Sequence, residues 1–141
     1  CALIRDDFVV VMGQIAQSGD GDGAGFGTEW LESAVAPELL ACTSHKNYQF
    51  RAVLLTGICV LAGMFTANTL ENRLLPPALD MAEDKVPNLR IAAAAALRAA
   101  AAHVSADLLQ EKVIPRLQML AQDEDIDVKF MADEALKELA P

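Results

Sequence analysis

The stretch DKVPNLR, at residues 84–90, decides the fold because its pattern returns at a constant interval along the chain. It recurs downstream as DEDIDVK at residues 123–129, and upstream in weaker form as HKNYQFR at residues 45–51. The basic residues that end the three stretches, Arg51, Arg90 and Lys129, are evenly spaced. A constant interval of this length is typical of a tandem array of helical units.

A second marker keeps the same interval, because Pro37, Pro76 and Pro115 have the same spacing as the three basic residues. Two unrelated residue types that share one period are hard to obtain by chance, so we interpret the chain as a repeat protein. The expected units are residues 28–66, 67–105 and 106–141.

Each unit is expected to contain two antiparallel helices, since its apolar residues recur at helical spacing in two separate segments. The first helices are expected to start near Glu29, Asn68 and Asp107. Their inward positions are Leu31, Val35, Leu39, Cys42, Leu70, Leu74, Ala78, Met81, Leu109, Val113, Leu117 and Leu120. Those of the second helices are Phe50, Leu54, Gly57, Ile58, Leu61, Leu89, Ala93, Ala96, Leu97, Ala100, Val128, Ala132, Ala135, Leu136 and Leu139.

Repeated polar residues and prolines predict where the helices begin and bend. Asn68 with Glu71, and Asp107 with Gln110, resemble capping boxes for the first helices. The expected N-caps of the second helices are Gln49, Asn88 and Asp127. Each repeated proline lies inside a first helix, where it removes a backbone hydrogen bond and is expected to bend the helix.

A single helix pair cannot bury both of its faces, so neighbouring units are expected to stack. No stretch alternates polar and β-branched residues in the manner of a strand. The predicted fold is therefore all-α, an α-solenoid of stacked antiparallel helix pairs of the HEAT or armadillo type.

The N-terminal part is expected to belong to the same array. Residues 1–17 have helical spacing and are interpreted as the second helix of a preceding, partial unit. Residues 18–27 are too rich in glycine to be helical and are interpreted as a loop. Asp20 and Asp22 lack the spacing and the closing Glu of a calcium loop.

Charge and cysteine content exclude several classes of function. The formal net charge of −9, without any cluster of Lys and Arg, argues against nucleic acid or an anionic membrane as partner. Three cysteines without a secretory signal predict reduced thiols and a location in the cytoplasm, with the nucleus as a second compartment. The longest run without charge, residues 52–68, is slightly short for a membrane span and is interpreted as a buried helix.

An enzyme is not predicted. The repeated Asp and Arg or Lys residues occur once per unit, whereas an active site is normally single. His45 and His103 are the only histidines, and neither is followed by Glu, which argues against a metal centre. Cys42 occupies an inward position, and Cys59 has no basic neighbour to activate it. No catalytic residue, metal or cofactor is predicted.

The pattern resembles a family. Two helices in each repeat, with proline in the first and Asp followed by Val-Arg opening the second, resemble HEAT repeats. The series at 47–48, 75–82, 84–90, 122–130 and 134–136 closely resembles the C-terminal end of the scaffolding A subunits of protein phosphatase 2A. The resemblance covers residues 28–141, and residues 2–17 as the second helix of the preceding repeat.

The resemblance implies a non-catalytic scaffold that holds the phosphatase catalytic subunit through the turns within repeats. A regulatory B-type subunit would be bound by upstream repeats that this chain lacks. The implied partner-binding residues are His45, Lys46, Asn47, Tyr48, Lys85, Val86, Pro87, Gln122, Glu124, Asp125 and Ile126. The residues of a structural ladder between neighbouring turns would be Arg51, Asp84, Arg90, Asp123 and Lys129. The alternative is another HEAT-repeat adaptor, such as a nuclear-transport receptor or an assembly factor, that binds a different protein.

Overall fold

The structure is a computed structural model and describes residues 27–140. The helix expected at residues 1–17 lies outside the described residues, as does the loop expected at 18–27 apart from Gly27. Every regular element between residues 27 and 140 is a helix, which confirms the all-α prediction for this part of the chain.

Six helices, arranged in three pairs, form the described part of the chain. Helices α1, α3 and α5 are the first helices of the pairs and span residues 28–41, 67–81 and 106–120. Helices α2, α4 and α6 are the second helices and span Tyr48–Leu61, Pro87–Ala100 and Ile126–Leu139. A 3-10 turn, Ala62–Met64, follows α2. The expected units 28–66 and 67–105 each hold one pair, and the expected unit 106–141 holds the third.

Each first helix widens just before its proline. The wider π-helical turns are Leu31–Val35, Leu70–Leu74 and Leu109–Val113. In each of them the N–H after the turn bonds to the carbonyl five residues earlier, as from Ala36 to Leu31. Proline has no N–H, and its ring would clash with the carbonyl four residues earlier in a regular α-helix. The wider turn therefore accommodates the proline without ending the helix.

The second helices form the contiguous centre of the packing. Helix α4 packs against α2 on one side and α6 on the other, and each second helix also packs against the first helix of its own pair. Gly57 of α2 allows a close approach, because a Cβ there would lie 2.8 Å from Leu39 Cδ1 of α1. Most of the predicted inward positions are buried; the half-buried exceptions are Phe50, Leu109, Leu136 and Leu139.

The predicted caps of the first helices are wrong, because helices α3 and α5 begin earlier than expected. Thr66 Oγ1 accepts a hydrogen bond from the Thr69 N–H, and Ser105 Oγ accepts one from the Leu108 N–H, both at 3.3 Å. Thr66 and Ser105 are therefore the N-caps, two residues before Asn68 and Asp107. Glu71, which was expected to complete a capping box with Asn68, bonds elsewhere, and the side chain of Gln110 bonds to no described residue.

Glu71 and its counterpart Glu32 reach forward to the next unit. Glu32 of α1 accepts a hydrogen bond from the backbone N–H of Thr66 at 2.7 Å. Glu71, at the same repeat position in α3, accepts one from the backbone N–H of Ser105. In a capping box the carboxylate that satisfies the N-cap N–H comes from the same helix. Here the carboxylate comes from the preceding helix pair. At each of the two junctions, a glutamate of one pair therefore completes the N-cap of the next pair, and we call this arrangement a shared cap.

The second helices are also capped two residues earlier than predicted. Asn47 caps α2 by accepting a hydrogen bond from the Gln49 N–H at 2.9 Å. Asp125 caps α6 by accepting bonds from the N–H groups of Asp127 and Val128 at 2.9 and 3.1 Å. Helix α4 has no capping side chain and begins with Pro87, whose missing N–H needs no partner there. The predicted caps Gln49, Asn88 and Asp127 lie inside the first helical turn.

Two further sequence expectations bear on the environment of the chain. Cys59 is a free thiol, whereas Cys42 is disulfide-bonded, so the prediction of reduced thiols is wrong for Cys42. Across residues 27–140, no helix combines the length and the apolar character that crossing a bilayer requires.

Candidate protein-binding edge

The turns inside the three helix pairs are the candidate functional site. They span residues 42–47, 82–86 and 121–125, between the first and the second helix of each pair. We call these three turns, together with the first residues of α2, α4 and α6, the turn edge. All of the predicted partner-binding residues and the acidic members of the predicted ladder lie on it.

Arg51 joins the first turn to the second. Its Nε and Nη2 donate to the two carboxylate oxygens of Asp84 at 3.2 and 3.3 Å. Its Nη1 donates to the carbonyls of His45 and Lys46 at 2.8 and 3.0 Å. The guanidinium of Arg51 therefore stabilises the first turn through two backbone carbonyls. It also holds the second turn through a bidentate ion pair with Asp84.

Arg90 repeats this arrangement one pair later, with shorter ion-pair distances. Its Nε and Nη2 donate to the carboxylate of Asp123 at 2.8 and 3.0 Å, and its Nη1 donates to the carbonyls of Asp84 and Lys85 at 2.9 and 3.3 Å. The hydrogen bond from Arg90 is the main cause that lowers the pKa of Asp123, and the same bond raises the pKa of Arg90. Both side chains are mostly covered, with 13% and 12% of their surfaces exposed.

Each ladder aspartate also shapes the turn that carries it. Asp84 Oδ1 accepts a hydrogen bond from the Val86 N–H, and Asp123 Oδ1 accepts one from the Asp125 N–H, both at 2.9 Å. Aspartate side chains commonly form such turns with the backbone two residues on. The orientation of each turn is thus tied to the pair before it, and the turns cannot rotate independently.

Lys129 occupies the third basic position of the series but is not joined to the other ladder residues. Its side chain is exposed and makes no hydrogen bond or ion pair within residues 27–140. The structure therefore brings together Arg51 with Asp84 and Arg90 with Asp123, and leaves Lys129 apart.

The candidate residues of the first turn divide into internal and outward side chains. His45 Nδ1 accepts a hydrogen bond from the Asn47 N–H at 3.0 Å, and its ring lies 4.5 Å from the ring of Phe50. Asn47 caps α2, so His45 and Asn47 both stabilise the turn itself. Lys46 is exposed, and Tyr48 exposes 37% of its surface at the start of α2. These last two side chains are free to contact a partner.

The second turn offers less apolar surface than the sequence predicts. Val86 is half-buried against the core, so part of its side chain stabilises the turn. Lys85 and Pro87 are exposed on either side of it. A partner would meet a short basic and apolar surface at this turn.

The third turn is acidic and has the most exposed apolar residue of the edge. Gln122 and Glu124 are exposed, whereas Asp125 is half-buried because it caps α6. Ile126 exposes 78% of its surface, which is unusual for a large aliphatic side chain. An exposed isoleucine among carboxylates is suited to a partner that is apolar at its centre and basic at its rim.

Phe130, which the sequence patterns did not single out, exposes 63% of its surface one helical turn after Ile126. The signal was present, since residues four apart lie on the same face of a helix. It was missed because Phe130 falls in the register of Ala52 and Ile91, which are half-buried against the core. Ile126 and Phe130 together extend the apolar surface of the turn edge along α6.

Among the described residues, nothing resembles a metal centre or an activated nucleophile. Between residues 27 and 140, no three His, Cys, Asp or Glu side chains are grouped closely enough to hold a metal ion. Cys59 is exposed, yet the apolar surroundings of its sulfur raise the pKa of the thiol, which disfavours the reactive thiolate.

Comparison with known proteins gives a partial similarity and no family assignment. No protein-family model matches the chain. A stretch of 62 residues is 32% identical to the regulatory A subunit of protein phosphatase PP2A from Schizosaccharomyces pombe. The match covers 44% of this chain and 10% of the relative, so the matched part of the chain spans about a tenth of that protein's length. This similarity supports a HEAT-repeat relationship over the matched stretch.

Proposed function

We propose that this chain is part of a non-catalytic HEAT-repeat scaffold whose turn edge holds the catalytic subunit of a type 2A serine/threonine protein phosphatase. In this proposal the units 28–66, 67–105 and 106–141 stack as an α-solenoid and place their turns in one row. A regulatory B-type subunit would bind repeats outside this chain. The scaffold would act in the cytoplasm, with the nucleus as a second location.

The observation that carries the proposal is that some side chains of the turn edge bond within the fold, whereas others are exposed. Two ion pairs, Arg51 with Asp84 and Arg90 with Asp123, join each turn to the next. Several other side chains of the edge are exposed and make no hydrogen bond or ion pair with a described residue; Lys46, Lys85 and Ile126 are examples. A rigid row of turns that displays unpaired apolar and charged side chains is the surface that repeat proteins use to bind other proteins.

The chemistry of the edge indicates how a partner would be held. Exposed apolar residues such as Tyr48 and Ile126 concentrate binding energy when a partner covers them. The acidic third turn, with Glu124 at its tip, would attract a basic surface and make association sensitive to salt. Holding an enzyme on a scaffold raises the local concentration of its substrates without adding any chemistry.

The name of the matched relative favours a phosphatase over the other HEAT-repeat adaptors. The similarity covers only part of this chain, so the identity of the partner rests on the even spacing of the repeat and on that name together. An adaptor of nuclear transport or of complex assembly would use the same edge for a different protein.

The test is the affinity of the purified chain for a type 2A catalytic subunit, measured for wild type and for Ile126→Asp. We expect Ile126→Asp to weaken binding by roughly tenfold or more, because a charge replaces the most exposed apolar residue of the edge. Ile126 is preferable to Val86 as a probe, since Val86 is half-buried and its replacement would disturb the fold.

Ala102→Asp is the matched control, because it adds the same charge at an exposed position in the turn after α4, at the opposite edge. It should bind as wild type does, and both variants should keep the wild-type helical circular dichroism. If wild type does not retain the catalytic subunit, or if the two variants bind it equally well, the proposed function is wrong.

A further inference from the structure

An open pocket lies between the first two helix pairs, beside the turn edge. Its volume is about 260 Å³. It is lined by Thr43, Arg51, Pro77, Asp80, Met81 and Asp84. Thr43 belongs to the first turn and Asp84 to the second, so a protein bound along the turn edge would cover the mouth of this pocket.

Two residues that line the pocket differ from their counterparts in the next unit. Pro77 corresponds to Arg116 one repeat later, and Asp80 corresponds to Met119. In that next unit Arg116 Nη1 lies 3.3 Å from Glu83 Oε1, so an arginine of the chain itself joins the second and third pairs. Between the first and second pairs the corresponding residue is Pro77, so the chain supplies no arginine at this position.

The polar groups of the pocket favour a hydrogen-bond donor with positive charge. Four of the five N–H groups of Arg51 already bond to Asp84 and to two carbonyls, so this guanidinium has little capacity left for an anion. The carboxylate of Asp80 makes no hydrogen bond or ion pair with any described residue. The hydroxyl of Thr43 donates to the Leu40 carbonyl at 2.9 Å, which leaves its oxygen as an acceptor.

We propose that this pocket receives an arginine side chain of the protein that docks on the turn edge, with Asp80 as its ion-pair partner. Arginine suits the site better than lysine, because a planar guanidinium can donate to Asp80 and Thr43 together while its flat face lies against Pro77. The incoming arginine would occupy the place that Arg116 has between the following pairs, but its carboxylate would be Asp80, because the counterpart of Glu83 in the first turn is Ser44. The inference rests on the proposed function, since it adds one specific contact to that interface.

The first experiment tests the pocket without the partner protein. Amide chemical shifts of the ¹⁵N-labelled chain are followed during titration with N-acetyl-arginine amide, and with N-acetyl-citrulline amide as the uncharged isostere. We expect saturable shifts centred on Thr43 and Asp80 with arginine only, and their loss in Asp80→Asn. Pro77→Arg should also abolish them, because the new side chain would fill the pocket. Equal shifts with citrulline, or shifts that persist in Asp80→Asn, would overturn the proposal.

The second experiment measures the affinity of a type 2A catalytic subunit for wild type, Asp80→Asn and Asp133→Asn. Asp133 is the matched control, an exposed aspartate on α6 that makes no hydrogen bond with the described residues. We expect Asp80→Asn to weaken binding by about fivefold and Asp133→Asn to leave it unchanged. If the subunit binds wild type and Asp80→Asn equally, the pocket does not receive its arginine. If the subunit does not bind wild type, the proposed function fails, and the titration alone decides whether the pocket binds a guanidinium.

Discussion

Arginine at residue 90 performs a task that lysine, in the same register at residue 129, cannot perform. Its planar fork donates in parallel to Asp123 and has a further nitrogen for the carbonyls of Asp84 and Lys85. The ammonium group of lysine is a single point of charge and cannot reach both sets of acceptors at once. We expect Arg90→Lys to lower the free energy of unfolding by about 1–2 kcal/mol, measured by urea denaturation.

Arg98→Lys is the control for that substitution. Arg98 pairs with Glu138 across α4 and α6, but 39% and 53% of the surfaces of the two side chains are exposed. Exposed ion pairs contribute little, so we expect a negligible change in the urea midpoint. Equal losses in Arg90→Lys and Arg98→Lys would mean that the geometry of the ladder does not matter for stability.

The fall of the unfolding free energy at acidic pH should depend on the ion pair between Arg90 and Asp123. The hydrogen bond from Arg90 lowers the pKa of Asp123 below its usual 3.8 in the folded state. The resulting stabilisation is complete above that unfolded value and is lost as the pH falls through the lower folded value. Arg90 stays protonated throughout, so it adds no pH dependence in this range. Unfolding free energies of Asp123→Asn, measured from pH 6 downward, should therefore fall less steeply below about pH 4 than those of wild type.

At the scale of the helix, the shared cap between neighbouring pairs should be visible in backbone exchange. Glu71 of α3 satisfies the N–H of Ser105, the N-cap of α5. In Glu71→Ala this N–H loses its acceptor, so we expect its hydrogen exchange to accelerate severalfold at neutral pH. Gln110→Ala is the matched control, since Gln110 holds the same repeat position but is exposed and bonds to no described residue. Unchanged exchange at Ser105 in Glu71→Ala would show that the shared cap is not maintained in solution.

The cap also shows why part of the fold was predictable and part was not. The interval between Pro37, Pro76 and Pro115 can be counted in the sequence, and helical spacing then places the inward positions. The partner of Glu71 cannot be found in this way, because Ser105 lies 34 residues away in another helix pair. A local pattern can propose a capping box within one helix, but only the packing of two pairs reveals which N–H the carboxylate reaches. The width of the turn before each proline is likewise a three-dimensional result.

The outward side chains of the turn edge were predictable to a similar degree. The repeat places residues 45–48, 85–87 and 122–126 in loops or first helical turns, and the structure has them there. The repeat does not show which of these side chains bond within their own turn and which are exposed. His45, Asn47 and Asp125 prove to bond within their turns, whereas Ile126 does not, because that division depends on distances between side chains and backbone.

At the scale of the whole molecule, a stacked array would stabilise a residue in the central pair from two sides. Leu97 of α4 is fully buried between α2 and α6, whereas Leu136, at the same repeat position in α6, is half-buried. If the pairs stack as an α-solenoid, Leu97→Ala should cost about 2–4 kcal/mol of unfolding free energy and Leu136→Ala roughly half as much or less. Urea denaturation, followed by circular dichroism, gives both values, and the two variants remove the same atoms. Equal losses would indicate that each pair is stabilised by its own two helices, and the proposed array would then have no energetic basis.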